Sequence, residues 1–285
     1  MRTLILLLVV FGGCWPTLAQ DSSEEKEEKK LGWTNVADVG LVVTSGNAST
    51  STFTIDDKLT RTWENSLFTL RGGLLRLQTV DDPFAVGTEE DFKVFEDETR
   101  ELDNERYYIA GDYKQNITSK LFWVVGGGWD RDTNAGIESR SVVYGGLGNT
   151  WRDDDHMQFK TDYAVTYTRR IDDIPDPSRD VNFSELRLSY AYMHHLAEKV
   201  DFDSDFAFFV NLADGGDNRF NTISSVTTNV SSVLALRFSL QFIYQNQPAL
   251  KEIDLFNEIG VEIGNAVVRK DRLDSIAKFA LVITL

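Results

Sequence analysis

The sequence predicts an all-β chain closed into an antiparallel transmembrane β-barrel of about twelve strands, and three observations predict it. The first is the final segment, SIAKFALVITL, where Ala277, Phe279, Leu281, Ile283 and Leu285 alternate with Lys278, Ala280, Val282 and Thr284. A barrel in lipid must pair its last strand with its first, because an open edge there leaves backbone groups unsatisfied. The second is a train of two-faced segments, apolar on one side and polar or charged on the other. The third is the alternation of short and long connections. Outer-membrane barrels carry short periplasmic turns at one end and longer loops at the other, whereas a soluble sandwich has no reason for that asymmetry.

The first strand is expected over 33–44, where Trp33, Ala37, Val39, Leu41 and Val43 oppose Asp38 and Thr44. The second, 52–63, sets Phe53, Ile55, Leu59 and Trp63 on one face, with Asp57 and Arg61 as exceptions. Strands follow over 66–79, 104–115, 119–130 and 139–151. Gly126–Gly128 and Gly145–Gly146 interrupt the last two and point to a bend or a close backbone approach. Between 157 and 169, Met157, Phe159, Tyr163, Val165 and Tyr167 oppose Gln158, Lys160, Asp162, Thr166 and Thr168. After 182–194, the strand near 200–212 sets Val200, Phe202, Phe206, Phe208, Val210 and Leu212 against Asp201, Asp203, Asp205 and Asn211. Segments 219–231 and 234–245 precede the terminal strand. The short connections fall at Glu64-Asn65, Asn116-Ile117, Asp153–Asp155, Leu196-Ala197 and Ser231-Ser232. The others fall at Ser45-Gly46-Asn47, 80–103, 131–138, 171–181, 213–218 and 246–274. Trp33, Trp63, Trp123, Trp129, Trp151 and Tyr244 lie near strand ends, as interfacial girdle residues do.

Ahead of the barrel, Met1 and Arg2, an apolar run from Thr3 to Phe11 and Thr17-Leu18-Ala19 form a secretory signal, so residues 1–19 are expected to be removed. Gly12-Gly13-Cys14 resembles a lipoprotein acylation site, although Phe11 is bulky for one. Residues 20–32, with DSSEEKEEKK, read as a disordered periplasmic tail, leaving 33–285 for the barrel with both termini periplasmic. The chain's formal charge of −16 and the lack of a basic patch argue against nucleic-acid binding. Its 42% hydrophobic content suits a barrel, whose lumen-facing residues dilute the lipid-facing ones.

The opening hairpin VGLVVTSGNASTSTFTIDDKL, the train of amphipathic strands and the closing strand together resemble the domain-of-unknown-function 481 family, whose members are often labelled salt-induced outer-membrane proteins. The resemblance implies an outer-membrane barrel and brings no catalytic residues or cofactor. Leu285 stands where such barrels commonly end in an aromatic residue.

Chemistry is sparse. His156, His194 and His195 lie at expected turns. His194 and His195 are adjacent on a strand and point to opposite faces. No nucleophile–base spacing accompanies them, so no enzyme, catalytic residue or cofactor is expected. Asp81, Asp82, Glu89, Glu90 and Asp91 are weak candidates for a divalent cation, without the fixed spacing of a calcium loop. The lumen face should carry Asp38, Lys58, Arg71, Lys160, Asp162, Glu185, Arg187, Asp201, Asp203, Asp205, Arg237 and Lys278. Buried charges need partners, so pairing across a filled lumen is expected. The expected role is structural or osmotic adaptation of the envelope. The alternatives are a narrow cation-favouring channel and, further off, a lipid hydrolase. Expected partners are outer-membrane lipid and lipopolysaccharide, the barrel assembly machinery acting on the C-terminal strand, and divalent cations.

Overall fold

A computed structural model describes residues 31–45, 51–80, 84–88, 91–95 and 101–284. The signal and tail with Cys14, the Gly46-Asn47 turn, Asp81, Asp82, Glu89, Glu90 and Leu285 lie outside the described residues. Among the described residues sixteen strands run in chain order: β1 (Gly32–Ser45), β2 (Ser51–Thr62), β3 (Ser66–Val80), β4 (Phe84–Gly87), β5 (Phe92–Phe95), β6 (Glu101–Asn116), β7 (Leu121–Asp132), β8 (Ile137–Asp153), β9 (Met157–Asp172), β10 (Asn182–Ala197), β11 (Val200–Asn211), β12 (Asn218–Asn229), β13 (Leu234–Gln245), β14 (Leu250–Phe256), β15 (Glu262–Arg269) and β16 (Leu273–Thr284).

Twelve of them close into one barrel, in the order β1-β16-β13-β12-β11-β10-β9-β8-β7-β6-β3-β2. Every neighbouring pair is antiparallel. The seam is β1 against β16, from Val36 opposite Thr284 to Ser45 opposite Ser275. Closure removes the open edge that lipid would leave unsatisfied. Gly40 sits in the seam opposite Ala280, and a Cβ there would collide with the carbonyl oxygen of Phe279. Gly40→Val is therefore expected to block closure. Loss of the heat-sensitive fast-migrating band on unheated gels would show it, and wild-type migration would refute it.

The glycines that interrupt β7 and β8 do not break them; they admit close approach. A Cβ at Gly126 would stand 2.5 Å from the Tyr144 hydroxyl, and one at Gly148 would strike the Phe122 ring. Each ring occupies the space that a side chain at the facing glycine would need.

The outward face is apolar and exposed: Val39, Leu41, Phe53, Ile55, Ile109, Val125, Val143, Leu147, Val165, Leu186, Leu236, Leu240, Phe279 and Leu281 all stand in the open. Each such side chain gains about 1.5–3 kcal/mol on leaving water, so this belt calls for an apolar phase around it. At the end of the barrel that carries the short turns, Trp33, Trp63, Trp123 and Trp151 are exposed on the outer wall. Arg61 caps Trp33 and Trp63, its guanidinium 5.5 Å from each ring centre, and Tyr113 bridges Trp63 to Trp123. Asp57, the other exception on β2, accepts the Asn35 side-chain amide at 2.8 Å. A second aromatic file, Tyr190, Phe206, Phe220 and Tyr244, climbs obliquely across β10 to β13 with centroids 5.3–6.1 Å apart.

The two longest connections differ from expectation. Read from sequence as loops, 80–103 and 246–274 instead supply a four-stranded sheet, β15-β14-β4-β5. β4 and β14 pair in parallel, Leu255 opposite Ala85. A small core of Ala85, Ile253, Leu255 and Ala266, flanked by Phe92 and Val268, holds it. The four-residue strands β4 and β5, in a charged segment, carry too little alternation to be read alone, and the β4–β14 pairing that unites the sheet joins residues more than a hundred apart in sequence.

Candidate functional site: the barrel interior and its roof

Strand register assigns every wall residue to a face, because side chains alternate. Asp38, Lys58, Arg71, Lys160, Asp162, Glu185, Arg187, Asp201, Asp203, Asp205, Arg237 and Lys278 all stand on the face opposite the exposed apolar belt. The same ladders add Asp56, Arg106, Tyr108, Asp112, Asp130, Asp132, Arg140, Tyr144, Arg170 and Arg219 to that inner face. These additions lie in strands where glycines or unbroken polar runs blur the alternation. Basic and acidic groups are therefore close to balanced inside, whatever the acidity of the whole chain.

Much of the inner charge is paired along the wall. Arg187 reaches Asp162 at 3.1 Å, Arg140 reaches Asp130 at 2.9 Å and Lys278 reaches Asp56 at 3.3 Å. Asp56 also accepts the Tyr108 hydroxyl at 2.7 Å. Arg237 pairs with Asp38 and donates to the Thr227 hydroxyl at 2.9 Å. Glu185, 1% exposed, pairs with Arg219 and accepts the Thr168 hydroxyl at 2.6 Å. Arg187 and Arg219 also lie over the rings of Tyr144 and Phe209, at 4.4 and 4.2 Å. Lys160 pairs with Asp153 at the turn end.

Small residues separate these pairs on the inner face: Gly73, Ala110, Gly126, Gly146, Ala164, Ser189, Ala207 and Ala280. Lys58 and Arg71, cross-strand partners on β2 and β3, point inward yet remain solvent-exposed, as does Asp205 on β11.

The loop end carries a roof. β13 and β16 lie half-way round the ring from β7 and β8, so the 246–272 connection must cross the mouth to touch the 133–136 turn. It does so: the Lys270 ammonium donates to the carbonyl oxygens of Thr133 and Asn134 at 3.2 and 2.9 Å. Ala135 and Ile137 are buried at that junction. Arg269 bonds to Asp176 at 3.0 Å, and Arg179 ties Asp172 to the Gln247 carbonyl. Gln247 and Asn246 bond in turn to Asp214 and Gly216.

Charge tunes this roof. Burial opposes ionisation of Asp176, but the Ser178 hydroxyl and N–H and Arg269 together hold its carboxyl below the ordinary 3.8. The Gln247 amide and the Gly216 N–H likewise lower Asp214. A carboxyl so depressed adds stability above its ordinary pKa, and that stability is lost as pH falls through the lower folded value. Asp173 beside Lys270 is raised by burial and acts in the opposite sense. With two tied carboxyls against one, the roof is expected to loosen as pH falls below 3.8. Faster proteolysis within 173–181 and 246–272 at low pH, relative to neutral pH, would show it; an unchanged rate, using a protease active at both values, would refute it.

His156 lies in the turn after β8, His194 bonds to the Tyr192 hydroxyl at 2.9 Å on the outer face, and His195 pairs with Asp201. The His195 N–H donates to the His156 carbonyl at 2.9 Å, so the three histidines share the turn end of the barrel, while the His194 and His195 side chains point to opposite faces and take different partners. Asp91 is exposed in the β4–β5 turn, beside a shallow cleft of about 430 Å³ shared with Asn257 and Glu258.

The model of a family described as "Protein of unknown function, DUF481" matches residues 37–257. No curated protein matches the sequence. Among solved structures the chain is similar to the NanC porin, at 10% identity and a TM-score of 0.52, over 87% of this chain and 100% of that one. It also matches an anion-selective porin from Comamonas acidovorans, at 9% identity and TM-score 0.42, over 89% and 98% of the two chains. A third match is OmpT, an outer membrane protein of Vibrio cholerae, at 8% identity and TM-score 0.41, over 92% and 100%. The likeness to the NanC porin shows that the fold is a porin-like barrel.

Proposed function

The chain belongs to the DUF481 family, and from its interior we propose that it is a narrow, water-filled channel of the outer membrane, roofed at the loop end. One observation carries the reading: Lys58, Arg71 and Asp205 point into the barrel and remain exposed, so water reaches the middle of the wall. A barrel serving the envelope only as a structural element would gain by filling that space with apolar side chains or closed ion pairs. The near balance of inner charge supports weak ion selectivity rather than a marked preference for cations. Lipid and lipopolysaccharide cover the apolar belt in this reading, the turn end with both termini faces the periplasm, and the assembly machinery engages β16. No catalytic step is assigned. Recording from the purified full chain in planar bilayers tests the proposal. Small, discrete current steps are expected, and their absence across repeated insertions returns the protein to a purely structural role.

A further inference from the structure

Two pairs of like charges face one another across the interior. Lys58 and Arg71 are direct cross-strand partners on β2 and β3, an arrangement that like charges disfavour. Asp203 and Asp205 stand two residues apart on one face of β11, half-way round the ring. Lys58 lies within electrostatic reach of both aspartates, and Arg237, itself paired with Asp38, lies within reach of Asp203. Even so, among the described residues none of the four side chains makes a hydrogen bond or an ion pair. Arg187, Arg237 and Lys278, on the same inner wall, all reach carboxylates. The four groups, none of them paired, therefore hold opposite charges on facing walls of the interior.

We infer that the space between these walls is a binding constriction for a small zwitterion, a molecule with an anionic group at one end and an ammonium at the other. The anionic end lies between Lys58 and Arg71, where a carboxylate accepts from two cations and relieves their repulsion. The ammonium lies between Asp203 and Asp205 and does the same for the aspartates. A singly charged ion satisfies one wall and leaves the other unchanged. A neutral solute competes with water at both. The inference rests on the channel reading for its route of entry, but the binding stands or falls separately.

Calorimetric titration of the detergent-folded full chain tests it, with 4-aminobutyrate as the zwitterion and butyrate and butylammonium as single-charge probes. 4-Aminobutyrate is expected to bind about ten-fold more tightly than either, a difference of about 1.4 kcal/mol. Lys58→Gln with Arg71→Gln should reduce its binding to the level of butylammonium, and Asp203→Asn with Asp205→Asn to that of butyrate. Exchanging the walls, with Lys58→Asp, Arg71→Asp, Asp203→Lys and Asp205→Lys, should restore the preference. Equal binding of the three probes, no binding at all, or neutralised variants that bind as the wild type does would each overturn the inference. Bilayer recording of the same preparation separates the two readings. Binding without current would retain the constriction and remove the channel, and current without a zwitterion preference would do the reverse.

Discussion

Glu185→Ala is expected to destabilise the barrel by about 3–5 kcal/mol, the cost of leaving one member of a buried ion pair without its partner. Glu185 is nearly inaccessible, and its two oxygens take up Arg219 and the Thr168 hydroxyl. Arg140 also stands within electrostatic reach of Glu185 and Arg219. With the carboxylate gone, Arg219 loses its ion-pair partner, while Arg140 stays paired with Asp130. Replacing both partners, Glu185→Leu with Arg219→Leu, should cost less than the single change, because the stranded charge goes with its partner. Denaturant unfolding in lipid vesicles, followed by fluorescence of Trp33, Trp63, Trp123, Trp129 and Trp151, measures both. If the single variant unfolds at the wild-type midpoint, the ion pair has no structural weight.

Cutting the roof should have the largest effect on passage through the barrel. In Lys270→Met the side chain keeps its length against Gly136 but no longer donates to Thr133 and Asn134. Arg269→Met removes the bonds to Asp176 and the Pro248 carbonyl. Each buried acceptor left without its donor costs about 1–3 kcal/mol. A loss of that size shifts the balance between roof down and roof away by roughly 5- to 150-fold. Single-channel records of the double variant should therefore show longer or larger openings than the wild type at the same voltage. Identical records would mean that the roof does not lie in the conducting path.

Local alternation made most of the barrel legible. A residue's face on a strand follows from a period of two, which needs no knowledge of partners. The train of strands from β6 to β13 and the seam strand β16 could thus be placed from short windows, with ends shifted by a few residues where bulges interrupt β8 and β10. The interruptions Gly126–Gly128 and Gly145–Gly146 were legible as a bend or a close approach, but not that Gly126 meets the Tyr144 ring or Gly146 the Tyr163 carbonyl, since these come from neighbouring strands. The sheet of β4, β5, β14 and β15 was not legible, because strands so short are held by one another and by Leu255 and Ala85 rather than by their own pattern.

By itself, the sequence determined a closed antiparallel barrel, its approximate strands and the long and short connections at its two ends. These depend on periodicity and on turn-forming residues, which act over a few positions. Tertiary structure alone decided which charges pair, that the last long connection spans the mouth to the 133–136 turn, and that Lys58 and Arg71 face Asp203 and Asp205. Those relations arise when strands set their register and the ring closes, which joins residues as near in sequence as Arg140 and Asp130 and as far apart as Lys278 and Asp56. No local pattern encodes which point of a ring lies opposite another.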